Sequence, residues 1–151
     1  LQSGDDTTAF KSLNEEWISK YFVLEEEDRK LLSDPEGVIL HKGGHIFFAK
    51  RGETVVGCVA LIPMGSGVYE LGKMAVSPEM RGRGIGRLLL QHCIQESKRL
   101  GIRSLFLGSN KGLEDAVHLY ESEGFKHVAR EKMPAFYPYS RADVFMELPL
   151  S

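Results

Sequence analysis

Apolar and polar residues alternate with a helical period at the start of the chain. Five apolar residues recur at intervals of three and four, namely Phe10, Leu13, Trp17, Ile18 and Tyr21. This spacing predicts an amphipathic helix that Asp5 or Asp6 caps and that runs to about Phe22. A second, shorter helix is expected over residues 26–32, because the proline and glycine in Asp34-Pro35-Glu36-Gly37 end regular structure.

Extended apolar runs separated by turn residues follow. The first two predicted strands, 45–50 and 54–63, flank Arg51-Gly52-Glu53, whose glycine and charges are typical of a hairpin turn. Gly65-Ser66-Gly67 then turns the chain into a third predicted strand over residues 68–76. This part of the chain therefore predicts a run of strands joined by tight turns.

The period changes again in the second half of the chain. Apolar residues from Ile85 onward fit a helix that Gly101 closes. The remaining predicted elements are a strand over 102–107, a helix over 113–122, and strands over 125–132 and 142–148. Strand, glycine loop, helix and strand thus occur in succession without an internal repeat or a linker, and we predict one domain over residues 1–151.

Composition and charge restrict the classes of function. With 151 residues, of which 42% are apolar, the chain has the usual size of one domain and can bury one sizeable core. Lys and Arg number 19 against 21 Asp and Glu, so the formal net charge is -2 and favours neither a nucleic-acid nor a membrane partner. Any site for an anion must therefore be local.

Cysteine and histidine positions give little sign of reactive or metal-binding chemistry. Cys58 and Cys93 each lie in an apolar stretch, which favours small buried residues over nucleophiles. The chain shows no secretory signal and no apolar run of membrane-spanning length, so we expect a reducing, cytoplasmic location. The 5 histidines lack the paired spacing of a zinc site, and no metal is expected.

A basic, glycine-rich segment opens the helix that begins near Ile85. Its sequence is Arg81-Gly82-Arg83-Gly84-Ile85-Gly86, and Arg87 follows. Unpaired amides at a helix N-terminus attract anions, glycines let a diphosphate approach closely, and arginines add positive charge. The segment contains no Gly-Lys-Ser/Thr phosphate loop, and the dinucleotide motif Gly-x-Gly-x-x-Gly fails because Arg87 and Leu89 occupy the third-glycine positions. A basic turn that only caps the helix is the alternative.

The spacing Arg81-x-x-Gly84-x-Gly86 is similar to the coenzyme A motif of GNAT N-acetyltransferases, in which Arg or Gln, two residues, Gly, one residue and Gly or Ala follow one another. Two further segments resemble the same family. Residues 70–78 resemble its central strand, which leads into the loop. Residues 119–125, preceded by Asn110, resemble its later motif, in which a helix bearing a tyrosine ends at Gly-Phe. The resemblance covers about residues 45–148.

The resemblance implies an α/β (α+β) fold. Members of the family have a mixed, mostly antiparallel twisted sheet of six or seven strands, about four flanking helices and a splayed pair of parallel strands at the centre. The family begins with a strand before its first helix, whereas here Asp5-Asp6 opens that helix almost at once. If residues 1–3 are the tail of that strand, the first edge strand is truncated and six strands are expected.

The resemblance also implies acetyl-CoA as cosubstrate. The diphosphate would bind to the glycine segment, which comprises Arg81, Gly82, Arg83, Gly84, Ile85, Gly86 and Arg87. The pantetheine arm would pair with backbone groups at the end of the central strand, Met74, Ala75 and Val76, opposite a splayed partner strand over 105–108. Asn110 would either bond the pantetheine or simply make a turn.

Two side chains are candidates for proton transfer. An alkyl ammonium with a pKa of about 10 has no lone pair at neutral pH, so a base is needed. Glu70 lies eleven residues before Arg81, where histone-acetyltransferase members of the family carry a glutamate base; the alternative is a strand glutamate that faces solvent or pairs with Lys73 or an arginine. Tyr120 matches the family's tyrosine, which would contact the cofactor and protonate the leaving thiolate; the alternative is a core aromatic.

We therefore expect an acyltransferase that moves the acetyl group of acetyl-CoA to a primary amine by direct attack in a ternary complex. A sensor of acetyl-CoA without turnover is the alternative, and it would need neither Glu70 nor Tyr120 beside the sulfur. A nucleic-acid binder would need an extended basic face instead of charges clustered at one loop. The identity of the acceptor, a small-molecule or peptide amine, is left open, as is the choice between a monomer and a homodimer.

Two segments outside these motifs bear on the acceptor. The acidic run Glu25-Glu26-Glu27-Asp28 would attract a cationic acceptor, or it is only a solvated helix face. Residues 133–139 hold three aromatic residues and two prolines, and they would wall the acceptor pocket or pack at a dimer contact.

Overall fold

The computed structural model describes most of the chain. The described residues are 8–21, 32–34, 39–40, 43–80, 83–110, 113–130 and 143–150. Several features expected from the sequence lie outside them, namely most of the helix over 26–32, the acidic run at 25–28 and the aromatic segment at 133–139.

Three α-helices and six β-strands form within the described residues. The helices are α1 (Thr8–Tyr21), α2 (Ile85–Arg99) and α3 (Glu114–Ser122). The strands are β1 (His45–Arg51), β2 (Thr54–Gly65), β3 (Val68–Val76), β4 (Ser104–Ser109), β5 (Lys126–Val128) and β6 (Val144–Pro149). A short 3-10 turn over Pro78–Met80 follows β3.

The six strands form one sheet in the order β1-β2-β3-β4-β6-β5. Neighbouring strands are antiparallel except β3 and β4, which are parallel. Parallel neighbours need a crossover connection, and α2 provides it. The predicted mixed, mostly antiparallel sheet with a central parallel pair is therefore confirmed, and it has six strands.

The parallel pair is paired over only a short distance. The register joins Val68 to Ser104, Tyr69 to Leu105, and Glu70 to Phe106. Both strands continue beyond this point, β3 to Val76 and β4 to Ser109, without further pairing between them. The predicted splay is present, but the expectation that it begins at Leu105 is wrong, because Leu105 and Phe106 still belong to the paired part.

β3 contains an extra residue in the part that has left β4. Its register with β2 passes from Gly72 opposite Ala60 to Ala75 opposite Cys58, so three steps on β3 match two on β2. Lys73 has a φ of 53°, a left-handed conformation that is uncommon for a residue with a side chain. This bulge shifts the alternation of side chains by one residue. Side chains after the bulge therefore point to the opposite face of the sheet from the one that regular alternation along β3 would give.

Helices cover both faces of the sheet. On one side, which we call the α2 face, Leu90 of α2 packs in a buried cluster with Val59 and Leu71. On the opposite side, the α1 face, Phe10 of α1 is fully buried in a cluster with Ile46. Because of the bulge, Met74 and Val76 pack against the α2-face cluster, whereas Ala75 lies in the α1-face cluster.

Helix ends explain where the predicted boundaries differ from the structure. α2 ends as predicted before Gly101, which has a φ of 76°, and the amide of Ile102 donates to the carbonyl of Ser97 at 3.0 Å. Because Ile102 belongs to this capping turn, β4 begins at Ser104 rather than at residue 102. Phe125 closes α3 in the same way, which leaves β5 shorter than the predicted 125–132.

Both thiols should be inert in the folded protein. Burial raises the pKa of Cys58 and of Cys93 to about 12, so the reactive thiolate form is scarce at about pH 8. We predict that iodoacetamide labels neither residue in native protein and labels both after denaturation, as measured by intact mass. Labelling of the native protein at the rate of the denatured chain would contradict this burial.

Candidate active site

The segment between β3 and α2 leads directly to a helix N-terminus. Arg81 and Gly82 lie outside the described residues, and the description resumes at Arg83. Gly84 precedes α2 with a φ of 80° and a ψ of 8°, and no side-chain hydrogen bond caps the helix there. The first amides of an α-helix have no acceptor within the helix, and they bind anions readily. The structure therefore places an uncapped helix N-terminus directly after the glycine motif, and anion binding there stays a prediction.

Gly84 and Gly86 differ in how close the neighbouring atoms would be to an added side chain. A side chain at Gly84 would meet no atom within 4 Å, so its backbone conformation and not a lack of space favours glycine. At Gly86, a Cβ atom would lie 3.8 Å from Leu119 of α3, an ordinary contact distance. The protein itself could thus accommodate small side chains in this space, and an approaching diphosphate would use the same room.

Gly57 on β2 also positions the start of α2, although the sequence motifs did not indicate it. A Cβ atom there would lie 2.9 Å from Leu89 Cδ1 and 3.3 Å from Ile85 Cγ2, both on α2. The missing side chain therefore lets the first turns of α2 approach the sheet closely. A lone glycine inside an apolar strand pattern is the signal that could have indicated such an approach.

The structure places the two described arginines of the motif differently. Arg83 is exposed beside the helix N-terminus. The Arg87 guanidinium instead reaches α3, where Nη1 donates to Ser122 Oγ at 3.0 Å and pairs with the Glu123 carboxylate. Arg87 belongs to the first turn of α2, but its guanidinium extends to the neighbouring helix, which engages one of its nitrogens.

Ser77, which directly follows β3, carries a buried polar group. Its hydroxyl oxygen has no hydrogen-bond partner among the described residues. The amide of the same residue donates to Val56 at 2.8 Å, which holds the strand end in place. A buried hydroxyl without a partner is uncommon.

The end of β3 lies beside the gap between the parted strands. Met74, Ala75 and Val76 all follow the last pair that joins β3 to β4. On the other side of β3, Ala75 and Val76 remain in register with β2. An extended ligand arm can therefore enter only on the β4 side, and it would lie along β3 as an added strand does.

Glu70 lies where the parallel strands part. It is the last β3 residue in register with β4, and its neighbours across the sheet are Ile62 and Phe106. A Cβ atom at Gly72 would be 3.5 Å from Glu70 Oε2, so the carboxylate leans along the α1 face toward the gap. The side chain is partly buried.

Tyr120 belongs to the opposite face of the sheet. It packs against the α2-face cluster, and its ring meets Phe125 edge-on with centroids 5.9 Å apart. Burial raises the pKa of Tyr120 to about 12, so its hydroxyl stays protonated at neutral pH. Glu70 and Tyr120 are thus not neighbours on one surface; they lie on opposite faces of the sheet.

Asn110 forms part of the connection from β4 to α3. Its carbonyl accepts a hydrogen bond from the Leu113 amide at 2.9 Å, as in a turn. The backbone of Asn110 therefore supports the turn interpretation, while its side chain is partly exposed at the end of β4. A contact between that side chain and a ligand stays a prediction.

Two further findings concern metal-binding groups and membrane-spanning helices within the described residues. Among them, no three His, Cys, Asp or Glu side chains are grouped so that they could hold a metal ion. None of the described helices combines the length and the apolar character that crossing a bilayer requires. His127, one of the five histidines, pairs with Glu121 at 2.8 Å on the surface of α3.

Comparison with known sequences identifies the family. The family model described as the acetyltransferase (GNAT) family matches residues 9–125. An uncharacterized N-acetyltransferase of Schizosaccharomyces pombe is 34% identical over 133 residues, which cover 80% of this chain and 77% of that protein. The chain belongs to the GNAT acetyltransferase family, and the resemblance in its sequence motifs is confirmed. It is accordingly an acyltransferase.

Two solved structures share the fold. A GNAT-family acetyltransferase from Staphylococcus aureus Mu50 superposes with a TM-score of 0.84 at 24% identity, covering 97% of both chains. YncA from Salmonella typhimurium, whose structure includes its cofactor acetyl-CoA, superposes with a TM-score of 0.73 at 21% identity over 97% of this chain and 91% of that chain. At these identities the likeness shows the fold.

Substitution of Gly84 tests the role of the helix N-terminus. Gly84 and Gly101 flank α2 with φ angles of 80° and 76°, and a side chain at either would meet no atom within 4 Å. Alanine at either position should cost about 1 kcal/mol of folding stability from the left-handed backbone. Only Gly84→Ala should weaken coenzyme A binding, by about tenfold in calorimetry. Equal affinities for the two variants would argue against a diphosphate site at this helix end.

Proposed function

We propose that this acyltransferase moves the acetyl group of acetyl-CoA to a primary amine by direct attack in a ternary complex. The single observation that carries the proposal is the opening between β3 and β4, which begins beside Glu70 on the α1 face, while Tyr120 packs against the cluster on the α2 face. An amine and a thioester can meet in such an opening from opposite sides. No acyl-cysteine is needed, and both buried thiols have a pKa raised to about 12, which disfavours them as nucleophiles.

The glycine segment and the first turn of α2 are the proposed site for the diphosphate. The amides that follow Gly84 supply hydrogen-bond donors, and Arg83 supplies exposed positive charge. The residues that we assign to the diphosphate are Arg81, Gly82, Arg83, Gly84, Ile85, Gly86 and Arg87. Arg87 contributes through its charge, because its Nη1 already contacts α3.

The pantetheine arm is proposed to lie along the end of β3. Backbone groups of Met74, Ala75 and Val76 would pair with its amides on the side that faces the gap. Asn110 at the far side of the gap would add a side-chain contact. The bulge at Lys73 supports this role, because it alters which backbone groups of β3 point toward the opening.

Glu70 is the proposed base. It takes a proton from the acceptor ammonium, directly or through water, so that the nitrogen lone pair can attack the carbonyl carbon of the thioester. Its position on the α1 face, beside Gly72 and across from Phe106, lies at the entrance to the gap. An amide N–H near Met74 or Ala75 would stabilise the oxyanion that forms.

Tyr120 is proposed to stabilise the thiolate that leaves when the C–S bond breaks. With a pKa near 12 it is a weaker acid than a thiol in water, so a complete proton transfer is unfavourable unless burial also raises the pKa of the thiol. A hydrogen bond donated by the hydroxyl is sufficient to stabilise the developing charge. The main role proposed for Tyr120 is therefore to donate a hydrogen bond to the leaving sulfur, and full proton transfer is secondary.

Activity with a panel of amines tests the proposed function. We expect thiol release from acetyl-CoA that depends on one class among amino acids, polyamines, aminoglycosides and peptides, with the acetyl group recovered on nitrogen by mass spectrometry. Binding of acetyl-CoA without turnover on any amine would contradict catalysis and favour a sensor. Failure to bind acetyl-CoA at moderate salt would contradict both the catalytic proposal and the sensor hypothesis.

Glu70→Gln tests the base against a matched control. Glu147 lies on the same face, in register with Phe106 on the strand beyond the gap, and its carboxylate accepts a hydrogen bond from Ser104 Oγ at 2.7 Å. We expect Glu70→Gln to lower kcat about 100-fold near neutral pH and less at high pH, where the amine is already deprotonated. Glu147→Gln should retain kcat. An equal loss at every pH would remove Glu70 from proton transfer.

A further inference from the structure

Polar side chains join the first turns of α2 to the last turn of α3. Arg87 Nη1 donates to Ser122 Oγ at 3.0 Å and pairs with the Glu123 carboxylate, and Gln91 Nε2 donates to the same carboxylate oxygen at 3.2 Å. Arg87 and Gln91 are four residues apart on α2, so they lie on one side of that helix. We call the four residues Arg87, Gln91, Ser122 and Glu123 the interhelix clamp.

The clamp holds the turn that positions Tyr120. The amide of Phe125 donates to the Tyr120 carbonyl at 3.1 Å, and the amide of Gly124 donates to Glu121 at 3.1 Å, with Gly124 at a φ of 104°. This is a capping motif in which Glu123 is the last residue before the left-handed glycine. The ring of Phe125 meets that of Tyr120 as part of the same turn. Movement of Glu123 would therefore move Tyr120.

The opposite end of the clamp lies at the proposed diphosphate site. Arg87 is in the first turn of α2, directly after Gly86, and Gly86 lies against Leu119 of α3. The positive guanidinium also lies at the C-terminal end of α3, where a cation is favourable to the helix dipole. Both ends of the coenzyme A site are thus connected through one ion pair.

We propose that the interhelix clamp is a positioning device, in which Glu123, held by Arg87 and Gln91, fixes the Tyr120 hydroxyl relative to the diphosphate-binding turn of α2. This inference rests on the proposed function, because it concerns the distance between the diphosphate and the sulfur of one bound cosubstrate. Glu123 touches no reacting atom in this scheme. It acts through Tyr120 and is a positioning residue.

The solvent exposure of the Arg87–Glu123 pair indicates whether it acts mainly on folding stability or on the position of Tyr120. The Arg87 side chain is 46% exposed and that of Glu123 is 17% exposed. An ion pair whose cation is about half exposed is screened by solvent and contributes little to folding stability. A small displacement of a group that acts on the reacting atoms, in contrast, lowers rates strongly. Loss of the clamp should therefore appear in catalysis more than in unfolding.

The test is Glu123→Ala with Glu121→Ala as matched control, each alone and combined with Tyr120→Phe. Glu121 is a carboxylate of the same helix end, but it pairs with His127 and not with α2. We expect Tyr120→Phe to lower kcat about 100-fold and Glu123→Ala about tenfold, with the KM for acetyl-CoA changed less than about twofold. In the Tyr120→Phe background, Glu123→Ala should have no further effect. Glu121→Ala should match wild type.

A second readout does not depend on turnover. The pKa of the thiol of bound coenzyme A, followed by ultraviolet absorbance of the thiolate, should rise in Tyr120→Phe and in Glu123→Ala, and no further when they are combined. Additive effects in either measurement, or a Glu123→Ala variant that behaves as Glu121→Ala does, would overturn the inference. If coenzyme A binds but no amine is acetylated, the proposed function is refuted. The pKa of the bound thiol then still tests whether the interhelix clamp positions Tyr120. Failure of wild type to bind coenzyme A would refute both.

Discussion

The short pairing between β3 and β4 is the constraint on which the candidate site depends. Two parallel strands at the centre of a sheet normally stay hydrogen-bonded along their shared length, but here they are in register only up to Glu70 and Phe106. The strands continue on separate paths to Val76 and Ser109. A sheet that would otherwise separate α1 from α2 thus has an opening at its middle, and Glu70 and the end of β3 lie beside it.

The surrounding elements determine what this opening can hold. The bulge at Lys73 changes the phase of β3 just beyond the last pair, and α2 begins a few residues after β3 ends. A helix N-terminus therefore follows closely on an extended strand edge, and a partly buried tyrosine packs against the cluster on the same face as that helix. A diphosphate and a chain of amides follow each other in coenzyme A, the cosubstrate that we propose for this site.

Much of this arrangement could be predicted from the sequence because the signals are local. The period of apolar residues and the bounding glycines predicted β3 over its full length and α2 from Ile85, and the motif at Gly84 and Gly86 indicated the family. Other features depend on residues distant in sequence. The contact between Arg87 and Glu123, the close approach over Gly57 and the placement of Glu70 and Tyr120 on opposite faces arise only from tertiary packing. The bulge at Lys73 has no sequence signal of its own.

A crystal structure with coenzyme A bound tests the central claim most directly. The account predicts a diphosphate within hydrogen-bonding distance of the amides that follow Gly84, and a pantetheine arm along β3 between the parted strands. It predicts a sulfur within reach of the Tyr120 hydroxyl on the α2 face, with Glu70 on the far side of the opening. Coenzyme A bound outside the gap, or a gap closed by continued pairing of β3 with β4, would contradict it.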